Sequence, residues 1–180
     1  MCPGCGHRSA FHAVKQALSP NDITVADIGC HTLGFLPPYE MGQLLMCMGA
    51  STGMASGLAL FNDQRRVLAF LGDSTFFHSG ITGLVDMLYN GSHATVMILD
   101  NRTTAMTGSQ PTPTSGLGAC GEPLEAVDIE GLVRGCGVKY CREGNPYNLK
   151  KFSNLMKEAV RYSRENGTAV VISRYPCVID

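Results

Sequence analysis

A chain of 180 residues is most economically one domain with a substantial core. Its formal net charge of −1, with 16% charged residues, gives no electrostatic basis for gripping nucleic acid or an anionic membrane surface. No stretch approaches the roughly 20 apolar residues that span a bilayer, and no basic region followed by an apolar run marks secretion. The eight cysteines therefore point to a reducing, cytoplasmic setting in which they bind metal or lie buried. Low charge beside 44% hydrophobic residues also suggests that part of the surface meets other protein.

In chain order, residues 7–18 are predicted as a short helix stopped by Pro20 and Asn21, and 23–28 as a strand. A Gly/Pro-rich loop over 29–49 leads into a small-residue helix, 50–60. The apolar run 67–71 is a strand closed by Gly72, 79–89 a helix, 94–99 a second apolar strand, and 103–122 a long loop rich in Thr, Pro and Gly. A helix (129–136), strand (138–140), helix (148–165) and strand (169–173) finish the chain. Strands that read as unbroken apolar runs between helices indicate an α/β fold, a mostly parallel sheet with helices on both faces. No repeat, low-complexity tract or linker divides the chain, so 1–180 is read as a single domain. Ligands in such folds gather where strands end, which singles out the loops after Leu71 and Leu99.

Those loops read VLAFLGDSTFFHSG and VMILDNRTTAMTG. Asp73 and Asn101 each stand just past a buried strand, 28 positions apart, and they converge if the strands are neighbours. A carboxylate and an amide oxygen suit Mg²⁺, which completes its octahedron with phosphate oxygens. Gly72 lets backbone come close, and the N–H groups of Ser74 and Thr75 lead towards a helix N-terminus, a natural phosphate seat. Taken singly, GD and DN are also ordinary turn residues.

The N-terminal CPGCGH places Cys2 and Cys5 in a Cys-x-x-Cys pair, with His7 beyond. Cys30 (IGCHTLG) and Cys177 (RYPCVID) likewise sit at segment edges beside Gly or Pro, where thiolates can point together. Four thiolates satisfy an iron–sulfur cluster and equally a structural zinc, and both remain open. Cys47, Cys120, Cys136 and Cys141 form no comparable set, and Cys136 is expected in the core. His31 and His78 lie on loops expected to border the ligand, His78 as a cap on the helix that follows. Met106 and Thr107 are placed to pack or bond there. Leu33, Phe35 and Leu36 either line the substrate side or fill core.

Gly-Asp-Ser followed by Asn resembles the diphosphate-binding motif of thiamine-diphosphate enzymes. Ser74 replaces the usual second glycine, and Asp100 stands where a second asparagine is usual. The cysteine set resembles that of 2-oxoacid:ferredoxin oxidoreductases. CPGCGHR, DIGCHTLG, CMGAS, GDSTFFHSGI, LDNRTTAMTG and YPCV together are similar to the thiamine-diphosphate domain in the large subunit of the indolepyruvate-type members. The resemblance implies Mg²⁺ held by Asp73, Asn101 and the Thr103 carbonyl. It implies thiamine diphosphate bordered by Gly72, Ser74, Thr75, Met106, His31 and Gly49, and a [4Fe–4S] cluster on Cys2, Cys5, Cys30 and Cys177. The implied reaction is oxidative decarboxylation of an aryl pyruvate, with electrons passed to ferredoxin and the acyl group to coenzyme A.

The resemblance implies that an activating glutamate comes from a separate pyrimidine-binding domain or subunit, and within this chain Asp22, Asp27, Glu40 and Asp63 stand in no context suited to that role. The chain is accordingly expected to be a fragment or subunit of a larger, oligomeric enzyme. Two other readings stay open. One is a non-oxidative thiamine-diphosphate decarboxylase, which needs no converging cysteines. The other is a zinc-stabilised binding module in which GDS is only a turn.

Overall fold

The computed structural model describes residues 1–179. Five parallel strands form the sheet in the order β1-β2-β3-β7-β6: Ile23–Ala26, Val67–Gly72, Thr95–Asp100, Ala169–Arg174 and, at the edge, Tyr140–Gly144. Every residue of β1 and β3 is buried, which explains their unbroken apolar reading. Helices α1 (Gly6–Ala17) and α6 (Leu149–Asn166) pack together on one face, where Phe11, Phe70, Phe152 and Met156 meet. Helices α2 (Ala50–Leu60), α4 (Ile81–Tyr89) and α5 (Ile129–Gly135) belong to the other face, whose core includes Leu71, Phe76, Leu84 and Ile129. No helix among the described residues is long and apolar enough to cross a membrane.

Three elements depart from the sequence reading. The helix expected at 79 begins at Asp73: a first turn α3 (Asp73–Thr75) and a π turn (Phe76–Gly80) run directly into α4. A π turn inserts a residue into the 3.6 period, so apolar spacing in FFHSG does not register as helix. The carbonyl of Gly80 accepts the Thr52 hydroxyl at 2.9 Å. The strand expected at 138–140 lies at Tyr140–Gly144, where exposed Arg142 and Glu143 give an edge strand a polar reading. Finally, the loop 103–122 folds into a small antiparallel pair, β4 (Thr103–Thr104) with β5 (Gln110–Pro111). Its return arm comes back over the end of β2. Cys141 fills the core in place of Cys136, which is only half-buried.

Candidate functional site

The β2–β3 register pairs Gly72 with Leu99, so the residues that follow, Asp73 and the Asp100–Asn101 pair, emerge side by side. Asp73 is 1% exposed and Asn101 8%. Burial pushes the Asp73 carboxyl up to about 6, Thr114 opposes this by hydrogen bonding, and nearby Asp100 reinforces it. The hydroxyls of Thr114 and Thr112 donate to Asp73 Oδ2 at 2.6 and 3.1 Å, and the Ser74 amide also bonds this carboxylate. Neither threonine was singled out from sequence. Both hydroxyls are aimed by a turn over residues 112–115, closed by the Ser115 N–H bond to the Thr112 carbonyl at 2.9 Å, which no sequence period announces.

Asp73 and Asn101 border one small cavity of about 60 Å³, together with Gly72, Ser74, Thr75, Thr103, Met106 and His31. His7, Cys30 and Met48 lie on its wall as well. Gly49 lies off the wall, as the left-handed N-cap of α2 (φ 88°), and a Cβ there would strike Ser79. Gly72 is different: its backbone is extended (φ −78°), and an added Cβ would meet only the His31 ring, at 3.4 Å. The protein's own packing does not demand glycine at 72, and the room it leaves faces the cavity. Between Asn101 and Thr103 the chain turns through Arg102 in the left-handed region (φ 63°), and Asn101 Oδ1 accepts the Thr103 amide at 3.5 Å.

Asp100 faces away from this cavity, since Arg174 Nε donates to its Oδ2 at 2.7 Å and Arg174 Nη1 reaches Glu143 at 2.6 Å. An acidic residue in place of asparagine is thereby accommodated. The same edge is closed by backbone bonds, Tyr175 N–H to the Asp100 carbonyl at 3.0 Å and Cys177 N–H to the Asn101 carbonyl at 3.2 Å.

Cys2, Cys5, Cys30 and Cys177 come to one corner from three separate segments, all as free thiols. Cys5 caps α1, Cys30 opens the 3₁₀ turn Cys30–Phe35, and Cys177 follows β7. Burial raises the Cys5 and Cys30 thiols, and both also feel Cys2 and Cys177. Among the described residues, no three His, Cys, Asp or Glu side chains stand close enough, as placed, to grip an ion.

His31 and His7 are buried on the cavity wall, and burial pulls them down to about 4 and about 3. His78 does not cap a helix; it sits inside the π turn. Thr107 bonds Gln110 within its own turn. Leu33, Phe35 and Leu36 neither border the Asp73 cavity nor fill core. Phe35 is 63% exposed, and all three line a separate apolar hollow with Ala26 and Leu45.

Asp27, 0% exposed, is the buried anchor of this end of the sheet. Its carboxylate accepts the amides of Ile28 and Gly49 on Oδ1 (2.8 and 2.7 Å) and of Ser51 on Oδ2 (3.1 Å). It thereby fixes Met48 and the start of α2 against the Cys30 turn. Asp27→Ala orphans those amides and is expected to cost about 3 kcal/mol or more in urea denaturation, whereas Asp27→Asn should retain part of that loss.

Two buried oxygen groups at the carboxyl edge of adjacent parallel strands, beside a helix N-terminus, make this a candidate cofactor site of an open α/β sheet. The chain belongs to the family described as thiamine pyrophosphate enzyme, C-terminal TPP binding domain, whose model matches residues 27–173. It is 44% identical over 181 residues to the indolepyruvate oxidoreductase subunit IorA of Archaeoglobus fulgidus, covering 99% of this chain and 28% of that protein. The IorA subunit of Pyrococcus horikoshii is 38% identical over 192 residues, with 99% and 29% covered. The chain thus spans less than a third of the length of these relatives. Among solved structures, a 2-oxoglutarate:ferredoxin oxidoreductase from Magnetococcus marinus superposes with a TM-score of 0.87 at 22% identity, over 98% of this chain and 64% of that one. That likeness establishes the fold.

Proposed function

We propose that this chain is the thiamine-diphosphate-binding part of a 2-oxoacid:ferredoxin oxidoreductase acting on an aryl pyruvate such as indolepyruvate. Asp73, Asn101 and the Thr103 carbonyl hold Mg²⁺, and the diphosphate lies over Gly72, Ser74 and Thr75. The fit rests on the donor set. It offers hard oxygens, a buried carboxylate with no basic partner and a proton affinity raised to about 6, and space a Cβ at Gly72 would fill. Cys2, Cys5, Cys30 and Cys177 would hold a [4Fe–4S] cluster, the donor set such a cluster takes. When bound, the cofactor supplies the electron sink for decarboxylation, and the cluster takes electrons singly.

The protein's own groups do the positioning. Thr112 and Thr114 aim the Asp73 carboxylate, while His7 and His31 wall the cavity against water. In balance, one 2-oxoacid, one coenzyme A and two oxidised ferredoxins give one acyl-coenzyme A, CO₂, a proton and two reduced ferredoxins. A pyrimidine-binding domain or subunit must bring the activating glutamate. The 44% identity to an indolepyruvate oxidoreductase subunit supports the aryl substrate.

The observation that carries this reading is the Cys177 N–H bond to the Asn101 carbonyl, 3.2 Å, because it ties the thiol corner to the oxygen site. Iron and sulfide analysis beside calorimetric thiamine diphosphate binding tests it: both groups should be present, and loss of either by design should leave the other. Thr114→Val removes the 2.6 Å bond to Asp73 and should weaken Mg²⁺-dependent cofactor binding by about tenfold. The pH dependence follows from the raised Asp73 carboxyl. The unfolded carboxyl loses its proton first, so stability without metal falls as pH rises from 3.8 towards about 6. Cofactor affinity at fixed Mg²⁺ rises over the same window and levels above it, a profile calorimetry at several pH values reads directly.

A further inference from the structure

Three buried polar atoms near the thiol corner have no hydrogen-bond partner: His7 Nδ1, His31 Nε2 and the Tyr175 hydroxyl. Each belongs to a different segment, and each lies within two positions of a different cysteine: His7 after Cys5, His31 beside Cys30, Tyr175 before Cys177. Their rings form a contiguous row, His31 to His7 at 6.0 Å and His7 to Tyr175 at 5.4 Å, with Tyr147 a further 6.0 Å along. The row starts on the cavity wall, at His31 and His7, and ends at Tyr147, whose phenol feels Cys5 and Cys177 and bonds the Gly4 carbonyl at 2.9 Å. Tyr175 itself is clamped under the Cys-x-x-Cys loop, its ring lying where a Cβ on Gly6 would stand.

Burying one unpaired polar group costs roughly 1–3 kcal/mol, so the His7–Tyr175 pair, in edge contact at 5.4 Å, calls for a common acceptor. The His31 ring already donates to the Asp27 backbone carbonyl, so the one proton of a neutral imidazole sits on that nitrogen and its Nε2 is an acceptor; His7 Nδ1 and the Tyr175 hydroxyl remain as the donors. The acceptors that the four cysteines would bring to them are sulfurs.

We propose that His7 and Tyr175 form a donor pair that hydrogen-bonds the sulfurs of the group held by Cys2, Cys5, Cys30 and Cys177 and sets its reduction potential. The inference rests on the [4Fe–4S] reading above. Reduction adds one electron to the cluster and makes its sulfurs more negative, so each N–H or O–H bond to sulfur strengthens and stabilises the reduced form. Deleting a donor therefore makes the potential more negative. These are positioning residues that act through the cluster.

The test is an EPR-monitored redox titration of the assembled, anaerobically purified enzyme, in which the signal lost in Cys177→Ala identifies this centre. Tyr175→Phe and His7→Phe should each lower its oxidant strength by up to roughly tenfold in the reduction equilibrium, about 59 mV for one electron. Iron content should stay at the parent level in both variants, and thiamine diphosphate affinity in Tyr175→Phe, which stands off the cavity wall. His7→Gln, which keeps a side-chain N–H, should recover part of the shift and guards against a variant that simply misfolds. A cluster at full iron content with unmoved potential in both Phe variants overturns the donor pair while leaving the cluster reading intact. Absence of any Cys177-dependent iron signal overturns both.

Discussion

Replacing Asp73 by alanine is expected to abolish Mg²⁺-dependent thiamine diphosphate binding, with a loss of at least roughly 100-fold in affinity. The carboxylate is 1% exposed and receives two threonine hydroxyls and the Ser74 amide, so it is fixed before any ligand arrives. Nothing nearby replaces it. Asp100, the next carboxylate, is held at 2.7 Å by Arg174. Above pH 6 and without metal the variant sheds the cost of a buried charge but leaves the Thr112 and Thr114 hydroxyls and the Ser74 amide without their acceptor, so its stability should fall by less than that of Asp27→Ala. Calorimetry with thiamine diphosphate at saturating Mg²⁺, beside thermal unfolding of both forms, separates lost binding from lost structure. Residual binding within a few fold of the parent would remove Asp73 from the site.

Replacing Cys177 by alanine is expected to have the second large effect, and of another kind. Four thiolates are the cluster requirement, so the variant should lose most of its iron and sulfide and nearly all electron transfer to ferredoxin. Cofactor binding should survive. The link to the oxygen site is the Cys177 backbone amide, donating to the Asn101 carbonyl at 3.2 Å, and alanine keeps that amide. A variant that instead releases zinc and unfolds would assign the quartet a structural role.

Much of this site was legible because parallel sheets announce themselves. The runs VLAFLG and TVMILD are buried on both faces, so the polar residues just past them had to stand at the carboxyl edge. Adjacency of β2 and β3 stayed a condition in the sequence, and the strand register supplies it. What stayed hidden depended on contacts distant in sequence or on broken periodicity. Thr112 and Thr114 reach Asp73 across 39 and 41 positions, through a hairpin that a Thr/Pro/Gly-rich loop gave no reason to expect. The π turn at Phe76–Gly80 concealed that the helix starts at Asp73 itself. Asp27 read as one more acid in an unhelpful context, because its partners are backbone amides 22 and 24 positions later. Leu33, Phe35 and Leu36 were ambiguous between wall and core, and their exposed face is neither.

The most direct measurement is metal and sulfide analysis of the anaerobically purified protein, with its absorption spectrum taken before and after adding thiamine diphosphate and Mg²⁺. About four irons with matching labile sulfide on the Cys177-dependent centre, together with saturable cofactor binding, is the expected result. Zinc in place of iron, with no affinity for thiamine diphosphate, would contradict it.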